Sequence, residues 1–179
     1  MTMNLFFWNL KTPSDNAWHP EPGKSPVQHR DGLPLILRRI DTTAAIPDVA
    51  PFVAGAGSIA HLSQYNSLGW TTPASIFQNP RTLSALNRSA TIISVVFLSC
   101  QAAGLDYRYL IPRWASDREK RRDELEVRRH VETGMIFGLG SSIVRTIMGW
   151  GPRFSLLDIV MGGALADLAH REYCKAHGL

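Results

Sequence analysis

Catalytic signatures are the first thing this chain lacks. It contains no Gly-rich phosphate loop, no nucleophile elbow, no HExxH and no dinucleotide fingerprint, so the common devices for phosphoryl transfer, acyl transfer, zinc hydrolysis and hydride transfer are all missing. Cysteine is scarce as well. Cys100 and Cys174 lie in helical patterns of different character, one apolar and one polar, and give no disulfide framework; both read as reduced thiols. The opening MTMNLFFWNLK lacks the basic region of a secretory signal, the length of a span and the arginine and serine of a transit peptide. No cleaved address is expected.

What is present points to helices and to contact surfaces. With 179 residues and 45% hydrophobic content the chain can bury a core, which excludes simple disorder for most of it. A formal charge of +4 favours anionic surfaces, whether lipid headgroups, nucleic acid or acidic protein faces. Residues 1–46 hold five prolines and no period of two or 3.6, so they read as an extended docking arm, with the helical part of the chain following over 47–179. Phe6, Phe7 and Trp8 in that arm are candidate anchors for a partner or a membrane interface. The plainer alternative is that they cover the chain's own core.

The stretch from Ser116 to Trp150 organises the rest. One helical pattern runs through it while its chemistry changes halfway, from SDREKRRDELEVRRH to TGMIFGLGSSIV. Ser116 with Glu119 opens it as a capping box, and Gly151-Pro152 closes it. The charged half interleaves Arg118, Lys120, Arg121, Arg122, Arg128 and Arg129 with Asp117, Glu119, Asp123, Glu124 and Glu126, which reads as a solvated face. A nucleic-acid patch would be less diluted by acid. The apolar half spaces Gly134, Gly138, Ser142 and Thr146 at four-residue steps, a ridge thin enough for backbone-to-backbone contact. Gly162, Gly163, Ala164 and Ala166 thin a last helix, opened by Ser155 and Asp158 as a second capping box, so the two form a C-terminal hairpin.

Two further helices precede them. PFVAGAGSIAHLSQY predicts a short helix from Pro51, and Asn79-Pro80 opens one reaching Ala103, with Gly104 as its stop. Within the latter, the seventeen uncharged residues from Ser89 to Leu105 fall at the low edge of the range that spans a bilayer, roughly 17 to 25. The connection DYRYLIPRW ending at Trp114 has the amphipathic rings and arginine of an interface.

Few residues offer chemistry. Arg145 interrupts an apolar stretch and requires a carboxylate, a lipid phosphate or water; Asp158 lies at similar depth across the hairpin turn and is its expected partner. His170, Cys174 and His177 share one helical face, but a structural zinc site takes four ligands and this spacing matches no usual motif, so neither metal nor cofactor is expected.

These features predict an all-α, small membrane-associated protein with an extended N-terminal arm and a C-terminal helical hairpin, and up to three short embedded helices. The expected role is that of a non-catalytic accessory subunit that braces a multi-subunit membrane complex, in contact with other subunits and with lipid but not with nucleic acid. Respiratory or other energy-transducing machinery of the mitochondrial inner membrane is the expected setting. Against the membrane stand a mean hydropathy of −0.07, the acids Asp158 and Asp167, and the short apolar runs. The rival is a soluble helical bundle that binds or modifies an apolar small molecule.

Overall fold

Local start and stop signals set most of the helix ends. The computed structural model describes residue 6 and residues 32–68, 79–105, 125–149 and 155–178. Among them are five helices and no strand, an all-α fold: α1 (Leu35–Arg39), α2 (Thr42–Leu68), α3 (Pro80–Ala103), α4 (Leu125–Ile147) and α5 (Leu156–His177). The side chain of Asn79 accepts from the N–H groups of Arg81 at 3.0 Å and Thr82 at 3.3 Å, and Pro80 fills the first helical position, where an N–H would have no partner. Gly104 ends α3 in the left-handed region (φ 74°), its N–H donating to the carbonyl of Gln101.

Two expectations fail at helix starts. α2 begins nine residues before Pro51 and carries Pro47 and Pro51 inside it. Its start is held by Asp41, whose carboxylate accepts from the Ala44 N–H and the Thr43 hydroxyl, each at 3.0 Å, and whose carbonyl accepts from the Ala45 N–H at 3.1 Å. The arm therefore cannot extend to residue 46: positions 42–46 are helical, and Ile46 is in the core. At α5, Ser155 is the N-cap residue but caps nothing with its side chain. Its hydroxyl bonds Asn87 Oδ1 on α3 at 3.0 Å, and Asp158 turns to Arg145. A tertiary partner has displaced the local one.

The four long helices pack as two antiparallel pairs, α2 with α3 and α4 with α5. On the first pair Phe52 and Phe97 approach with ring centroids 5.6 Å apart, and His61 Nδ1 lies 3.0 Å from Thr82 Oγ1. The core between the pairs takes Ile46, Val49 and Val53 from α2, Leu86 and Ala90 from α3, Val131 and Met135 from α4, and Ile159 and Val160 from α5. Of residues 1–31, Phe6 alone is described. It is half-buried against that core, donates its N–H to Glu132 Oε1 at 3.0 Å and accepts from the Thr42 hydroxyl, so these contacts are with this chain's own interior. Phe7, Trp8, Trp114 and the Ser116 capping box lie outside the described residues.

Candidate functional site

The crossing of α4 and α5 is built from residues with almost no side chain. A Cβ added at Gly134 would fall on the Gly162 carbonyl and on Ala166; one added at Gly138 would strike the Asp158 carbonyl; one added at Gly162 would strike the Gly134 carbonyl. Backbone therefore lies on backbone. Gly163 points elsewhere, its added Cβ meeting Ile46 Cγ2 and Met135 Cγ at 2.8 Å, so it seats α2 on the hairpin. One step further along the ridge, Ser142 is buried and accepts the Ser155 N–H at 2.7 Å. Thr146, in contrast, returns its hydroxyl to the Ser142 carbonyl of its own helix.

This geometry separates glycines that matter from glycines that do not. Gly134→Ala and Gly138→Ala should each destabilise the folded chain by about 1 to 3 kcal/mol, since a backbone atom must move to admit the methyl group. Gly140 and Gly55 have open space around the added atom, and alanine there should be neutral or stabilising by up to about 1 kcal/mol. Denaturant titration in detergent, followed by far-ultraviolet circular dichroism, measures the difference. Equal effects at Gly138 and Gly140 would contradict the close crossing.

Arg145 and Asp158 form an ion pair between the two helices near the turn, with side chains 34% and 19% accessible. Arg145 Nε finds no acceptor among the described residues. Both side chains keep some contact with solvent, so the pair is no strong source of stability, but neither group is left as a bare charge.

Charges at the opposite end of the bundle are less solvated than an interleaved charge run implies. Arg128 and Glu132 are buried. Arg128 reaches the carboxylate of Asp41 and lies 3.4 Å from the Thr43 hydroxyl, while Gln101 of α3 bonds both ways with Asp41, accepting its N–H at 2.9 Å and donating to its carbonyl at 3.2 Å. Three helix ends are tied at one buried aspartate. The solvated-face reading is thus corrected for Arg128: α4 turns Val127, Arg128, Val131 and Glu132 inward and leaves Arg129 and His130 outside.

The three C-terminal candidates do not form a set. His177 stacks on Tyr173 at 4.1 Å and bonds its carbonyl, whereas His170 lies 3.6 Å from Cys174 Sγ and stacks on His130 of α4 with centroids 4.3 Å apart. Among the described residues no three His, Cys, Asp or Glu side chains are placed to hold a metal ion.

The interior holds Thr43, Asp48, His61, Thr82, Ser94, Ser142 and Asp167 beside its apolar core. Outside stand Phe52, Ile59 and Leu62 of α2, Ile92, Val95 and Val96 of α3, Phe137, Ile143 and Val144 of α4, and Leu165 and Leu168 of α5, all more than 40% accessible. Single apolar residues on a surface need no explanation, but eleven large ones spread over all four long helices are more than a few isolated cases. Among the described residues two helices are long and apolar enough to cross a membrane, Thr42–Gln64 and Pro80–Ala103, their most apolar 18-residue stretches having mean hydropathies of 1.2 and 1.4. Compared with protein-family models, with curated proteins and with solved structures, the chain matches none.

Proposed function

We propose that this chain is a non-catalytic structural subunit of a multi-subunit membrane complex, embedded through its helical bundle and serving assembly and stability. The observation that carries the reading is α3, whose most apolar 18-residue stretch has a mean hydropathy of 1.4 while only 17% of that stretch is buried inside the chain. Fully covering one Val, Leu or Ile gains about 1.5 to 3 kcal/mol, so a helix of this kind left in water forgoes much of its available stabilisation. Hydrocarbon or the apolar helices of neighbouring subunits supply the missing cover.

The finer placement, in respiratory or other energy-transducing machinery of the mitochondrial inner membrane, belongs to the same proposal. Its support is the basic balance of +4, which suits an anionic membrane surface, together with a chain whose most specific features are packing features. The test is carbonate extraction of membranes from cells carrying a tagged chain, followed by native separation of the detergent extract and identification of what migrates with it. Retention in the pellet and co-migration with a large inner-membrane assembly are the expected results. Release into the supernatant as a monomer would favour a soluble bundle with an apolar ligand.

A further inference from the structure

We draw no further inference here: the strongest candidate, the exposed apolar face of α3 around Ile92, Val95 and Val96, carries nothing because nothing in the structure shows what covers it.

Discussion

Val95→Asp/Val96→Asp should release the chain from membranes while leaving its helices intact in detergent. Both valines stand outward on α3, 56% and 51% accessible, in the middle of its uncharged half. In a soluble bundle such positions tolerate charge, and the change would shift stability by no more than about 0.5 kcal/mol. In hydrocarbon each aspartate costs about 2.5 to 3.5 kcal/mol near the centre of a span, so the pair opposes insertion by roughly 5 to 7 kcal/mol. That difference is large enough to reverse the partition. Leu105→Asp is the matched control: Leu105 is 63% accessible but lies beyond the Gly104 cap, at the end of the helix, where an aspartate meets headgroups or water. The measurement is carbonate extraction of the three proteins side by side. A double variant that stays in the pellet and matches the parent's stability would remove α3 from the membrane and sink the proposed role with it.

What could be read from the sequence divides by the range of the interaction. The cap at Asn79, the stop at Gly104 and the glycine crossing are local or strictly periodic signals, and each determines backbone geometry with little help from elsewhere. The partnership of Arg145 with Asp158 was legible for a related reason, since a hairpin fixes which residues share a depth. Long-range partners were not legible. Ser155 carried a capping-box signature, yet its hydroxyl went to Asn87, 68 positions away, because a half-buried amide on a packed neighbour competes well with a backbone N–H. The early start of α2 was hidden by Pro47 and Pro51, which usually argue against a helix interior. The cue that outweighed them was Asp41-Thr42-Thr43 just ahead of an apolar run, an N-cap signature that has force only once Arg128 and Gln101 are known to converge on it.

Asp41→Ala should be among the most damaging single changes in the interior, because it strips several bonds from one buried point. Asp41 caps α2, pairs with Arg128 and sits across from Gln101, with side chains only 11% and 8% accessible for the aspartate and the arginine. Removing the carboxylate takes the Asp41 counter-charge from a buried guanidinium, and breaking a buried pair in this way typically costs about 3 to 5 kcal/mol, while loss of the cap adds about 1 kcal/mol. Asp41→Asn separates the two contributions: it retains an acceptor for the Ala44 N–H but not the charge, and should fall between the parent and alanine. Arg128→Met with Asp41→Asn removes both charges and preserves volume, so it should recover most of the stability lost by Asp41→Ala, as replacing a whole buried pair often does. Denaturant unfolding of the four proteins in one detergent gives the ranking. If Asp41→Ala and Asp41→Asn are equal and each below about 1 kcal/mol, the end of the bundle is hydrated and the network is not what joins α2, α3 and α4 there. If the ranking holds, that end is a rigid junction that ties the starts of α2 and α4 to the end of α3 through one buried aspartate.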